Sequence, residues 1–121
     1  MTFTEIKAIL QHLPDPADRL EFVMEVGKIL PPIPVGANAT IIRGCASRVE
    51  IYCDEENNYY GGADSVLVRG IVAIILSMVR GKSAMEIRDM DVADEFGRLD
   101  LQLGAGRMNG IGGIISFLEG I

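Results

Sequence analysis

The residue with the clearest chemical potential in this sequence is Cys45, which follows Gly44 and stands between Arg43 and Arg48. A nearby cation lowers the pKa of a thiol and favours the thiolate, the nucleophilic form. A cysteine after a glycine, between two predicted strands, is expected at a turn where a reaction partner can reach it. The local pattern leaves two interpretations open, a reactive thiol or a small residue packed at a turn.

Few other residues could take part in chemistry. His12 is the sole histidine, so a zinc site or a Ser-His-Asp triad lacks its usual ligands and base. A cysteine hydrolase would need a base beside the thiol, and only His12 is available. We expect His12 to be an ordinary surface residue. The formal charge of −6 is unfavourable for nucleic-acid binding, which needs clustered Lys and Arg against phosphate.

Cys53, the second cysteine, lies in a segment that alternates in polarity. Val49, Ile51 and Cys53 alternate with charged or polar residues, which is the period of a half-buried strand. Because Cys53 falls on the apolar side of this pattern, we expect a buried thiol without a chemical role.

The length of 121 residues is typical of one domain, so residues 1–121 are predicted to form a single domain. The chain does not begin with a basic stretch followed by a long apolar one, and its longest apolar run, Ile71–Val79, is too short to span a bilayer. We therefore expect a soluble, cytoplasmic protein without a membrane partner.

Capping residues and alternation together predict an α+β fold. The predicted helix N-caps are Thr2, Asp15, Asp64 and Ser83, of which Thr2 and Ser83 begin capping boxes. The helix after Asp64 is apolar on most sides and is expected in the middle of the fold. A last helix is predicted over about 107–118, and strands over 40–42, 49–53 and 59–60. The result is a small antiparallel three-stranded sheet with helices packed on one face.

Four segments of the sequence resemble the SufE/CsdE family of sulfur acceptor proteins, which partner cysteine desulfurases in iron–sulfur cluster assembly. They are Arg19–Phe22 with Gly27–Pro31, Asn38–Ile42 with Gly44-Cys45-x-Ser47-x-Val49, Ala63-Asp64-Ser65 with Val68 and Gly70-Ile71, and Leu103 with Arg107 and Asn109-Gly110-Ile111. The order of the segments, with the cysteine in place, makes the resemblance fairly specific.

The resemblance implies a SufE/IscU-like fold and a role for Cys45. In that role Cys45 takes sulfane sulfur from the persulfide of a SufS/CsdA-type cysteine desulfurase, stimulates that enzyme, and passes the sulfur to a downstream cluster scaffold. Transfer of this kind is chemically akin to thiol–disulfide exchange. It implies no metal or organic cofactor on this chain.

The resemblance also implies roles for further residues. Arg107 matches an arginine near the cysteine loop that could stabilise a thiolate or persulfide, although it could equally be a solvated residue at a helix start. Asp64 matches an aspartate near the same loop. The loop and the partner interface would further include Arg43, Gly44, Ser47, Asn109 and Gly110. The family often has an aromatic residue where this chain has Glu50, which affects packing or partner contacts on that strand face.

Other functions of the same fold remain open at this point. An IscU-like scaffold needs about three cysteines, or cysteines with His or Asp, at one site. A non-catalytic interaction protein would need no thiol chemistry. The sequence does not specify which desulfurase or acceptor is used, or whether the protein is a monomer or a homodimer.

Overall fold

A computed structural model of the chain describes residues 1–42 and 47–120, except for the side chains of residues 105 and 106. Within this part, two α-helices precede a sheet and four follow it. The helices are α1 (Phe3–Gln11), α2 (Pro16–Val26), α3 (Val66–Val79), α4 (Ala84–Asp89), α5 (Val92–Gly97) and α6 (Ala105–Gly120), with a 3-10 turn at Gly27–Ile29. The strands are β1 (Thr40–Ile41), β2 (Val49–Cys53) and β3 (Tyr59–Ala63).

The three strands form an antiparallel sheet in the order β1-β2-β3. The predicted alternation on β2 is confirmed, since Val49 and Ile51 are fully buried while Glu50 and Tyr52 are half-buried. Strand β3 is longer than predicted and reaches Ala63. Its glycines weaken the strand signal in the sequence, but pairing with β2 holds the backbone extended.

Helix α3 lies at the centre of the core, as its apolar sequence predicts. Ile74, Ile75 and Leu76 are fully buried, and the helix packs against β3 and α2. Gly70 permits the close crossing of α2, since a Cβ at Gly70 would lie 2.6 Å from the carbonyl carbon of Val23. The predicted α+β class with a three-stranded antiparallel sheet is confirmed.

Three of the predicted helix caps are confirmed and one is wrong. Thr2 and Ser83 form complete capping boxes, and the Asp15 carboxylate accepts from the Ala17 N–H at 2.8 Å. The N-cap of α3 is Ser65, whose hydroxyl accepts from the Val68 N–H at 3.3 Å. Asp64, the predicted cap, does not fill this position because its carboxylate binds the backbone at the start of β2.

Helix α6 extends beyond the predicted 107–118 at both ends and packs against α4 and α5. Within the described residues, none of the helices has the length and apolarity needed to cross a membrane.

Candidate functional site

The segment that carries Cys45 connects β1 to β2. Arg43, Gly44 and Cys45 themselves lie outside the described residues, but both flanks of the segment are described. On the flanks, the Ile42 N–H donates to the Val49 carbonyl at 2.8 Å, which continues the antiparallel pairing one step beyond β1. Ile42 is buried and Ser47 is half-buried. The segment therefore begins and ends at neighbouring points of the sheet.

Asp64, which directly follows β3, binds Arg48 on the second flank of the cysteine segment. Its carboxylate accepts from the Arg48 N–H at 3.1 Å, and its own N–H donates to the Arg48 carbonyl at 3.3 Å. These two bonds prolong the β2–β3 pairing to a point three residues after Cys45. The sequence resemblance implied that Asp64 lies near the cysteine loop, and the structure brings it to the flank of that loop.

Arg48 forms an ion pair with Glu50, with 2.8 Å between Nη2 and Oε1, and its Nε donates to the same oxygen at 3.1 Å. The two residues are two apart along the chain, so their side chains lie on the same face of the sheet, away from the core. Glu50 therefore compensates part of the positive charge of Arg48, which the sequence analysis had counted as an unpaired cation near Cys45. This pair was not predicted, although two residues that lie two apart on a predicted strand are expected on the same face of the sheet.

The other predicted site residues lie at the start of α6. Arg107 is exposed, and its Nη1 donates to the Leu103 carbonyl at 3.4 Å. Asn109 is exposed and Gly110 is buried. The contacts of Cys45 lie outside the described residues, so the proximity of these three residues to the thiol remains a prediction.

Cys53 ends β2 and packs against the margin of the core, where it is half-buried rather than fully buried. Its Sγ lies 3.4 Å from the Asp54 carbonyl, to which it donates. Burial raises the pKa of the Cys53 thiol; a hydrogen bond with Tyr59 opposes this rise and the charge of Asp54 adds to it. This environment disfavours the thiolate at neutral pH.

His12 is exposed at the C-terminus of α1, where we expected a surface residue. In the part of the chain that the structure describes, there is no group of three or more His, Cys, Asp or Glu side chains that could hold a metal ion.

Comparison with known proteins identifies the family. Residues 4–120 match the SufE family model, described as an Fe-S metabolism associated domain. The chain therefore belongs to the SufE family, which confirms the resemblance found in the sequence.

Three curated relatives illustrate this relationship. The chain is 37% identical over 109 residues to an uncharacterised SufE-like protein of Rhizobium meliloti, covering 81% of this chain and 78% of the relative. It is 35% identical over 103 residues to the sulfur acceptor protein CsdE of Escherichia coli, covering 78% and 69% of the two chains. It is 31% identical over 106 residues to the cysteine desulfuration protein SufE of Wigglesworthia glossinidia brevipalpis, covering 81% and 74%.

The fold agrees with that of a solved structure. The solution structure of a hypothetical protein from Thermus thermophilus matches with a TM-score of 0.76 at 16% sequence identity, covering 99% of this chain and 94% of the other.

Proposed function

We propose that this protein is a sulfur acceptor that receives persulfide sulfur from a cysteine desulfurase on Cys45 and delivers it for iron–sulfur cluster assembly. The observation that carries the proposal is the match of residues 4–120 to the SufE family. Two relatives are named a sulfur acceptor protein and a cysteine desulfuration protein, which supports the same activity here.

The transfer step requires only thiol chemistry. The Cys45 thiolate attacks the terminal sulfur of the desulfurase persulfide, a new sulfur–sulfur bond forms on Cys45, and the desulfurase cysteine leaves as a thiolate. The transferred sulfur keeps its oxidation state, so no external oxidant or reductant is needed. The persulfide on Cys45 then passes its sulfur to a downstream scaffold in a second exchange of the same kind.

The two cysteines differ in their suitability for this step. Cys53 is half-buried, and burial raises the pKa of its thiol. Cys45 belongs to the segment between β1 and β2, whose flanks are fixed by the Ile42–Val49 and Arg48–Asp64 hydrogen bonds. These hydrogen bonds fix the two points at which the chain leaves and rejoins the sheet on either side of Cys45.

Arg107 is assigned the role of stabilising the Cys45 thiolate or persulfide, since a guanidinium is a permanent cation with several donors. Its side-chain hydrogen bond to the Leu103 carbonyl, at 3.4 Å, is long enough to be exchanged for another partner. Arg43, Gly44, Ser47, Asp64, Asn109 and Gly110 are assigned to the loop or to the surface that meets the desulfurase. The proposed location is the cytoplasm, and the proposal holds for a monomer or a homodimer.

A persulfide trap tests the proposal. The protein is incubated with its desulfurase and cysteine, alkylated, digested and analysed by mass spectrometry. We expect an adduct of about 32 Da, the mass of one sulfur atom, on the peptide that contains Cys45. Desulfurase turnover should rise on addition of the wild-type protein and of Cys53→Ser, but not of Cys45→Ser.

The two single variants are matched controls for each other. An adduct on Cys53, or equal stimulation by wild type and Cys45→Ser, would contradict the assignment. Stimulation by Cys45→Ser without any adduct would favour an interaction protein, and stoichiometric cluster assembly on the chain would favour a scaffold.

A further inference from the structure

A groove lies between the outer face of the sheet and the segment that follows α2. We call it the Gly62 groove. It has a volume of about 520 Å³, and its walls include Lys28, Pro32, Ile33, Glu50, Gly62 and Arg69. It opens beside Glu50, which is ion-paired with Arg48 on the flank of the cysteine segment.

Gly62 forms part of this groove, although neither packing nor backbone conformation requires a glycine there. The adjacent Gly61 faces the core, where a Cβ would lie 3.1 Å from Val72 Cγ1. Gly62 faces the opposite side, no atom lies within 4 Å of the position its Cβ would take, and its φ is not positive. A glycine inside a strand weakens the strand, and a common reason for one is the close approach of a ligand or of another backbone. The fold therefore leaves open space at the point where a second chain could approach most closely.

The proline-rich segment after α2 supplies Pro32 and Ile33 to one wall of the groove. Pro31, Pro32 and Pro34 have fixed φ angles and no N–H. The Pro31 carbonyl accepts from the Gly61 N–H at 3.1 Å, which attaches this segment to β3. A groove whose walls are already fixed loses little conformational entropy when it is occupied.

The charged side chains of the groove differ in their partners among the described residues. Lys28 pairs with Glu25 at 3.1 Å, and Glu50 pairs with Arg48 at 2.8 Å. No ion pair among the described residues includes Arg69. Its Nη2 donates to the Ala63 carbonyl at 3.1 Å, and a guanidinium carries five donors in total. The complementary group on a partner is a carboxylate.

We propose that the Gly62 groove binds an extended segment of the partner desulfurase, with the backbone of that segment over Gly62 and a carboxylate opposite Arg69. This inference rests on the proposed function, because it adds the recognition element to the same transfer reaction. Glu50 and Arg48 connect the groove to the flank of the cysteine segment, so a partner held here has its surface next to that flank. The groove thereby adds affinity and orientation without contributing to the chemistry.

Equilibrium binding to the desulfurase tests the proposal, using full-length variants of the protein. Gly62→Leu fills the groove, and we expect it to raise Kd about tenfold or more. Loss of a strong contact at an interface has an effect of this size. Arg69→Glu should raise Kd by a similar factor, whereas Arg69→Lys keeps the charge and should lose less. Added salt should weaken binding of wild type more than binding of Arg69→Gln.

Gly97→Leu is the matched control, since it introduces the same side chain on α5, again with no atom within 4 Å of the added Cβ. It should bind like wild type. Because Arg69 is exposed, Arg69→Glu still tests the proposal if Gly62→Leu does not fold.

Wild-type Kd for both Gly62→Leu and Arg69→Glu would overturn the proposal. Loss of self-association in Gly62→Leu, with unchanged desulfurase affinity, would overturn it in favour of a second copy of this chain. The persulfide trap on the wild-type chain separates the two proposals, because an adduct on Cys45 together with unaffected groove variants refutes only the groove.

Discussion

The side chain and the backbone of Asp64 both bind the backbone of Arg48. The carboxylate accepts from the Arg48 N–H at 3.1 Å, and the Asp64 N–H donates to the Arg48 carbonyl at 3.3 Å. Asp64 is the residue between β3 and the cap of α3, while Arg48 directly precedes β2. The pair therefore connects the flank of the cysteine segment to the start of the central helix.

Removal of the Asp64 carboxylate should loosen this flank. In Asp64→Ala the Arg48 N–H loses its acceptor, so we expect its hydrogen exchange to accelerate, with a stability loss of about 0.5–1.5 kcal/mol. Asp64→Asn keeps an oxygen acceptor and should exchange at a rate closer to wild type. Amide exchange followed by NMR measures both. Equal exchange in wild type and Asp64→Ala would mean that this hydrogen bond does not protect the flank.

Gly70 should tolerate no larger residue, because α2 crosses α3 at this point. An added Cβ would lie 2.6 Å from the carbonyl carbon of Val23 and closer still to its oxygen. This obstacle is helix backbone and cannot rotate away. We expect Gly70→Ala to lower the free energy of unfolding by about 3 kcal/mol, as in an overpacked core.

Gly112→Ala on α6 is the matched comparison for Gly70→Ala. No atom lies within 4 Å of its added Cβ, so helix propensity should raise stability by up to about 1 kcal/mol. Urea denaturation of both variants measures the difference. Similar effects of the two substitutions would contradict the close crossing at Gly70.

The sequence predicted the parts of the fold that depend on local physics. The capping boxes at Thr2 and Ser83 satisfy N–H groups within four residues, so their signal is contained in a short window. The alternation of apolar and polar residues on β2 likewise lies in a short window and predicts one buried face of the strand.

The wrong predictions concern features that depend on contacts between residues far apart in the sequence. Asp64 and Ser65 both have a side-chain oxygen that could cap α3. The Asp64 carboxylate binds Arg48, sixteen residues away, and the Ser65 hydroxyl caps the helix. The extent of β3 through Gly62 depends on pairing with Glu50, which outweighs the low strand propensity of glycine. Cys45 as the reactive thiol stays a prediction from the family motif, whereas the ion pair of Arg48 depends on the position of Glu50 in the structure.

The turn between β2 and β3 should make stability depend on pH through Asp54. Hydrogen bonds from the Asn58 N–H at 2.9 Å and from its side chain at 3.1 Å hold the pKa of Asp54 below its ordinary value. A carboxylate with a lowered folded-state pKa contributes stability above its unfolded-state pKa and loses it as the pH falls through the folded-state value.

We therefore expect wild-type stability to decline below about pH 4, with a smaller decline in Asp54→Asn. Thermal unfolding at a series of pH values measures this difference. Glu55→Gln, at the adjacent exposed position, is the control. A decline in Asp54→Asn as steep as in wild type would exclude a contribution from this turn.

The environment of Cys53 should make it a slow nucleophile. Burial raises the pKa of its thiol, so less thiolate is present at a given pH than in a free cysteine. In Cys45→Ser, where Cys53 is the only thiol, we expect iodoacetamide at pH 8 to react severalfold more slowly than with free cysteine. The rate should rise to that of an exposed thiol in denaturant, because unfolding removes both burial and the contact with Asp54. Fast alkylation of the folded variant would contradict the structural role of Cys53 and would require the persulfide trap to be repeated with both cysteines as candidates.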